Sequence, residues 1–93
     1  MKASLNGTLL AESGDIISAA GYDYFPAATV RTDFLQKSLR TAKDLECPHG
    51  VQFYDAVIDG KRYPRSAWIY EAPQPKLAHV AGRIGFWQDV KVG

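Results

Sequence analysis

The chain is poor in the features that mark secreted, membrane and nucleic-acid-binding proteins. It has one cysteine, so no internal disulfide can form and nothing indicates an oxidising compartment. No window approaches eighteen apolar residues, and the N-terminal segment lacks a signal-peptide core. Eleven Lys and Arg nearly balance ten Asp and Glu, without the basic stripe that binds nucleic acid. We therefore expect a cytoplasmic monomer that binds neither membrane nor nucleic acid.

Patterns for metal or phosphate chemistry are also missing. The aspartates are scattered singly, with no Asp-x-Asp pair for Mg²⁺ and no glycine-rich phosphate loop. Cys47 and His49 would supply at most half of a tetrahedral zinc set, and His79 lies on a separate predicted helix. We expect no metal ion and no cofactor.

What the chain does have is an ordinary globular composition divided by turns. It is 46% hydrophobic and 23% charged, which argues against disorder, and its size suits a single domain over residues 1–93. Strand-like runs flank Asn6-Gly7, Ala20-Gly21 and Asp59-Gly60. Asn-Gly and Asp-Gly readily supply the positive φ that a two-residue type I′ turn needs, so Asn6-Gly7 and Asp59-Gly60 predict hairpins. Residues 16–19 and 22–25 are two short strand candidates on either side of Ala20-Gly21.

The Asp59-Gly60 turn sets the register of the longest predicted hairpin, in which Val51 lies opposite Trp68. Side-chain alternation then groups four apolar residues on one face, beside the Cys-Pro-His-Gly turn: Val51, Phe53, Trp68 and Tyr70. Pro64 has no N–H for the ladder and indicates an edge strand or a bulge, which would exchange the faces of residues 67–70. The basic residues near the tip are expected to be solvated; they are Lys61, Arg62 and Arg65.

The remaining segments mix short strands with short helices. Residues 29–39 suggest one or two helical turns capped by Thr29 or Thr32, and residues 39–45 suggest a strand. Pro75 is suited to begin a helix that stops at Gly82, and residues 84–87 and 90–92 close the chain as strands. About seven or eight strands and one or two short helices predict a mainly β (small α+β) fold.

Two sets of side chains are candidates for a site. Cys47 with His49 could form a reactive, catalytic thiol pair, although a lone cysteine is more often a small buried hydrophobe. The aromatic residues could line a ligand pocket or fill the core; they are Tyr24, Tyr54, Trp68, Tyr70 and Trp87. Arg31 or Arg65 could provide a handle for an anionic group, or could simply be solvated.

The order and spacing of several motifs resemble a bacterial family known as domain of unknown function 427, sometimes labelled a nucleotidyltransferase. The motifs are the Asn-Gly hairpin, Tyr24-Phe25-Pro26 followed by Val30, Cys47-Pro48 with a glycine, Tyr54, Asp59-Gly60, Ala67-Trp68 with Tyr70, and Phe86-Trp87. The resemblance spans nearly the whole chain. It implies a compact tent-like arrangement of two antiparallel sheets with a short helix.

One departure from the family pattern affects the turn before the central hairpin. Members usually have an aromatic residue and a lysine after Cys-Pro, where this chain has His49 and Gly50. Any role of that lysine is therefore absent here.

The leading functional hypothesis is a small-molecule binding domain with an aromatic-walled pocket. Its walls would come from the Cys47 turn, Trp68, Tyr70 and Trp87. A thiol-dependent enzyme using Cys47 and His49 is an alternative, so whether the chain is an enzyme stays open. A protein-interaction module that uses an exposed sheet edge is a third possibility.

Overall fold

Nine strands form two antiparallel sheets in the computed structural model, which describes residues 1–93. The strands are β1 (Lys2–Leu5), β2 (Thr8–Glu12), β3 (Ile17–Ala19), β4 (Tyr22–Pro26), β5 (Leu35–Lys37), β6 (Val51–Ile58), β7 (Lys61–Tyr70), β8 (Arg83–Phe86) and β9 (Lys91–Val92). The small sheet has the order β2-β1-β9, and the large sheet has the order β3-β4-β8-β7-β6-β5. The predicted fold class is confirmed, with one or two more strands than expected.

The helical segments are all short. One α-helical turn, α1, spans Ala42–Leu45, and 3₁₀ helices span Ala27–Thr29, Thr32–Phe34 and Pro75–Val80. No helix in the chain has the length and apolar character needed to span a membrane.

Two tight turns lie at the predicted Asn6-Gly7 and Asp59-Gly60 positions, and a third lies at Ala20-Gly21 between the two short strands. Asn6, Ala20 and Asp59 have φ of 48°, 52° and 52°, and the glycine after each also has positive φ. This pair of left-handed residues is the type I′ geometry that matches the twist of a hairpin. Each turn therefore connects neighbouring strands, β1 to β2, β3 to β4 and β6 to β7.

The central hairpin contains a bulge that changes its register by two residues. Near the turn, Ile58 pairs with Lys61 as predicted, but beyond Asp55 the partners are Phe53 with Trp68 and Val51 with Tyr70. The predicted pairing of Val51 with Trp68 is wrong for this reason. Because the shift is even, side chains keep their faces, and the exchange of faces expected for a bulge does not occur.

Residues 39–45 do not form the predicted strand. Thr41 caps α1 by a reciprocal pair of hydrogen bonds: its hydroxyl accepts from the Asp44 N–H, and the Asp44 carboxylate accepts from the Thr41 N–H. This capping box starts a helical turn, and Leu39 before it is 93% exposed.

The other helical predictions are partly confirmed. Helical turns occur after Thr29 and at Pro75, but both are 3₁₀, and neither threonine caps through its side chain. The final strand, β9, pairs with β1 and so closes the small sheet with the C-terminus.

The two faces of the large sheet carry different side chains. One face joins the small sheet in the main core, formed by Ala3, Leu5, Leu10, Ala11, Phe25, Val30, Ala56, Ile58, Ala67, Ile84, Phe86 and Val90. The opposite face carries the aromatic cluster, formed by Tyr24, Val51, Phe53, Trp68, Tyr70, Val80 and Trp87. Neighbours such as Ala67 and Trp68 belong to different faces because side chains alternate along a strand.

Candidate functional site

Strand alternation gathers the rings of four segments on the face away from the main core. Tyr22 and Tyr24 come from β4, Phe53 from β6, Trp68 and Tyr70 from β7, and Trp87 follows β8. The 3₁₀ helix Pro75–Val80 covers part of this face, where Val80 is fully buried against the cluster. The rest of the face is left to solvent.

A cleft of about 110 Å³ lies in the uncovered part. All of its lining residues are hydrophobic; they are Tyr22, Val51, Phe53, Trp68, Tyr70 and Trp87. Val51 and Trp68 are buried and form the floor, whereas the other four are partly or largely exposed and form the rim.

Three of the lining rings stand nearly at right angles to one another. The Tyr22 and Trp68 rings are 4.9 Å apart between centroids at 86°, and Trp68 and Trp87 are 5.4 Å apart at 69°. Tyr22 and Trp87 complete the corner at 6.3 Å and 79°. Edge-to-face packing of this kind is favourable for aromatic pairs.

The floor depends on a glycine beneath the Trp68 indole. Gly85 pairs with both Tyr24 and Trp68 in the sheet. A Cβ at position 85 would lie 2.7 Å from Trp68 Cζ2 and 2.9 Å from Cε2, closer than real contacts allow. The missing side chain therefore permits the indole to lie against the backbone of β8.

Tyr24 lies below the cleft and supports Trp68 from within. Burial raises the pKa of Tyr24 to about 12, so its hydroxyl stays protonated. The nearby Trp68 N–H favours the phenolate form of Tyr24 and so offsets part of this rise in pKa. The Trp68 N–H itself is buried and makes no hydrogen bond within the protein. An unpaired buried N–H costs about 1 to 3 kcal/mol.

An ion pair fixes the outer wall of the cleft. The Arg65 guanidinium donates to both Asp44 oxygens at 2.8 and 3.0 Å, and its Cζ lies 3.9 Å from the centroid of the Phe53 ring. Phe53 stacks on Trp87 at 5.7 Å and 26°, and Trp87 Nε1 donates to the Arg65 carbonyl. Arg65 therefore holds two rim residues through its side chain and its backbone.

The bulge orients Arg65 for this role. Arg65 has φ of 53°, and its N–H donates to Asp55 Oδ1 at 2.9 Å. Asp55 also accepts from Arg62 at 2.6 Å and from the Ser38 hydroxyl. Lys61 and Arg62 are exposed at the hairpin tip, as predicted, although the Arg62 guanidinium pairs with Asp55. The prediction is wrong for Arg65, which is half-buried and pairs with the buried Asp44 carboxylate.

The same contacts change the pKa values of these groups. The hydrogen bond from Arg65 holds the pKa of Asp44 at about 2, and that bond raises the pKa of Arg65 in turn. Burial alone would raise the pKa of Asp55, but hydrogen bonds from Ser38, the Arg65 N–H and Arg62 outweigh it and lower the pKa.

Cys47 and His49 lie beside the cleft but are not joined. Cys47 is half-buried and packs against the aromatic cluster. His49 Nδ1 accepts the Gln74 N–H at 2.9 Å, and the His49 ring lies 5.4 Å from the Tyr70 ring. No hydrogen bond links the thiol to the imidazole. The thiol and sheet-edge hypotheses stay predictions.

A family model described as Domain of unknown function (DUF427) matches residues 1–93. The chain belongs to this family. The family's label refers to nucleotidyl transfer, as the resemblance implied. No curated protein matches the chain. The DUF427 structure described here contains no group of three or more His, Cys, Asp and Glu side chains that could hold a metal ion.

The DUF427 cleft contains some of the residues expected from the sequence and omits others. Trp68, Tyr70 and Trp87 line it, and Tyr24 lies beneath it. Arg31 does not line the cleft; it is exposed, and its N–H donates to the Leu10 carbonyl beside the small sheet. Tyr54 lies on the opposite face and packs against the main core.

Three lining residues were not among the candidates: Tyr22, Val51 and Phe53. Val51 and Phe53 are predicted to share a face with Trp68, and alternation along a strand also places Tyr22 on the face of Tyr24. The strand periodicity therefore contained the signal, but it did not say that β4 and β6 lie in one sheet on either side of the β8–β7 pair.

Proposed function

We propose that this DUF427 domain binds a small molecule by enclosing an apolar part of it in the aromatic cleft. The observation that carries the proposal is the set of six hydrophobic residues around an open space of about 110 Å³. Ligand sites in proteins are concave and mostly apolar, with aromatic walls. Soluble proteins rarely expose grouped rings without such a use.

The size of the cleft limits what enters it. An apolar cavity of about 150 Å³ can hold benzene, so this space suits one compact group and not a whole drug-sized molecule. The rest of the ligand would lie across the rim, near His49 and Gln74. Removal of apolar surface from water would supply the binding free energy, at roughly 25 cal/mol per Å².

We propose that residues 1–93 act as one monomeric domain in the cytoplasm. The single, free Cys47 supports this setting, since structural disulfides mark oxidising compartments.

A fragment screen would test the binding proposal. We expect protein-observed ¹⁵N–¹H NMR spectra to reveal small apolar fragments that shift the indole N–H signals of Trp68 and Trp87. Tyr22→Ala should weaken the best fragment by roughly three- to tenfold, the usual worth of one aromatic contact. Tyr22 is 38% exposed, so thermal unfolding of the variant should stay near that of the native chain.

The matched control is Leu39→Ala, which truncates a side chain that is 93% exposed and outside the cleft. Fragment affinity should not change in this variant. The proposal is wrong if no fragment perturbs the cleft indoles, or if both variants weaken binding equally.

A further inference from the structure

The lining of the cleft offers a ligand almost no hydrogen bonds. Apart from the hydroxyls of Tyr22 and Tyr70, the lining side chains are apolar, and the Trp68 N–H on the floor is buried out of reach. The Trp87 N–H is already donated to the Arg65 carbonyl. A group that carries N–H, O–H or carbonyl functions would lose its hydrogen bonds with water here, at a cost of a few kcal/mol on general scales. A group that needs no hydrogen bonds is therefore favoured inside the cleft.

The shape of the cleft favours a rounded group over a flat one. Tyr22, Trp68 and Trp87 form a corner with interplanar angles of 69° to 86°. A flat ring could stack on one of these walls only, whereas a tetrahedral group can contact all three.

The electrostatics of the walls favour a cation. Five of the six lining residues are aromatic, and the face of an aromatic ring carries partial negative charge that attracts a cation. No charged side chain lines the space. The nearest cation, Arg65, packs on Phe53 and is neutralised by its two hydrogen bonds to Asp44. The chain thus already uses one ring of this site to hold a cation.

We propose that the cleft binds a fully methylated ammonium group, because that group is round, cationic and without N–H donors. This inference rests on the proposed function and specifies its ligand class. Quaternary ammonium recognition by aromatic cages relies on the same three properties. The source could be a small metabolite or a methylated side chain, since both present the same group.

Two ligands of equal shape and different charge test the inference. Choline and its neutral isostere 3,3-dimethylbutan-1-ol differ only by carbon in place of nitrogen at the branched centre. We expect choline to bind more tightly by roughly two- to thirtyfold, the range of a cation–π contribution. Chemical shifts of the Trp68 and Trp87 indole N–H signals would report both affinities.

Two variants at position 22 distinguish the contribution of an aromatic ring to choline binding from that of apolar burial alone. Tyr22→Phe keeps the ring and should keep the preference for choline, because the Tyr22 hydroxyl has no hydrogen bond to lose. Tyr22→Leu keeps an apolar side chain but should lower the preference several-fold while affinity for the isostere changes little. Thermal unfolding would verify that both variants fold.

The outcomes separate the two proposals. Equal or tighter binding of the isostere, or of a flat arene such as toluene, would overturn the ammonium inference and leave the binding cleft in place. Failure of all three probes and of the fragment screen to shift the indole signals would overturn both. A trimethyllysine peptide that binds more tightly than choline would support a methylated side chain as the source.

Discussion

The main core and the aromatic cluster are built on the two faces of the same strands, yet they differ in how they are covered. In β4, Phe25 points into the main core and is fully buried, while Tyr24 faces the cluster. The small sheet closes the first face. The second face is covered in part by the 3₁₀ helix Pro75–Val80, and rings remain exposed beside it. One sheet thus has a closed face that packs in the main core and a partly open face, where the proposed ligand would bind.

Residue choice follows this division. The main core contains mostly aliphatic and small residues, which pack between sheets at short distance. The aromatic cluster contains large rings whose apolar surface is only partly removed from water. We therefore expect substitutions in the main core to act on folding, and substitutions at the cleft rim to act on binding.

The largest expected effect comes from truncation in the main core. Phe25→Ala should lower the free energy of unfolding by about 3 to 5 kcal/mol, because it leaves a cavity among buried side chains. Phe53→Ala at the cleft rim is the matched control and should cost clearly less, since Phe53 is only partly buried. Urea unfolding followed by circular dichroism would measure both. Equal losses would mean that the two faces do not differ in this way.

An intermediate effect should follow from a methyl group placed under the cleft floor. Gly85→Ala should lower the free energy of unfolding by about 1 to 3 kcal/mol, because its Cβ would overlap the Trp68 indole. A changed tryptophan emission spectrum should accompany the loss as the ring moves. Gly14→Ala is the control, since no atom lies within 4 Å of its added Cβ. An unchanged indole signal in Gly85→Ala would show that the floor does not need the glycine.

The smallest expected effect concerns acid. The pKa of Asp44 is about 2 in the folded chain against 3.8 for an ordinary aspartate, so the folded state binds fewer protons between these values. Its contribution is complete above about pH 4 and disappears as the pH falls toward 2. Asp44→Asn should lower the free energy of unfolding by on the order of 1 to 2 kcal/mol at pH 7. The free energy of unfolding of this variant should also fall less steeply as the pH is lowered from about 4 to 2.

The control for the acid experiment is Asp89→Asn, which removes an exposed carboxylate that makes no side-chain hydrogen bond or ion pair. Urea unfolding between pH 2.5 and pH 7 should show the native acid dependence in this variant. The same slope in Asp44→Asn would contradict the role assigned to the Arg65 ion pair.

The local features of the fold were predictable because they depend on neighbouring residues. Asp59-Gly60 fixes its turn by backbone preference alone, and Pro75 begins a helical turn for the same reason. The failures have equally specific causes. The capping box between Thr41 and Asp44 outweighed a weak strand pattern in residues 39–45. Pro64 indicated a bulge in the central hairpin, but it did not specify that the register would shift by two residues.

The candidate site was predictable only as far as one hairpin extends. Trp68 and Tyr70 share a face with Val51 and Phe53 as long as the hairpin register shifts by an even number of residues. This part of the cleft wall therefore followed from the alternation of side chains. Arg31 and Tyr54 were chosen by residue type, and the structure leaves both outside the cleft. Their positions depend on which sheet face and which neighbouring strand receive them.

By itself, the sequence determined the turns and the alternation of side chains along each strand, since both are set by bonds and preferences within a few residues. Only the tertiary structure decided that β4 and β6 lie on opposite sides of the β8–β7 pair. It decided that Gly85 of β8 lies beneath the Trp68 indole and leaves room for it. It also decided that one face stays partly uncovered. These outcomes depend on contacts between residues distant in the chain, which local periodicity does not encode.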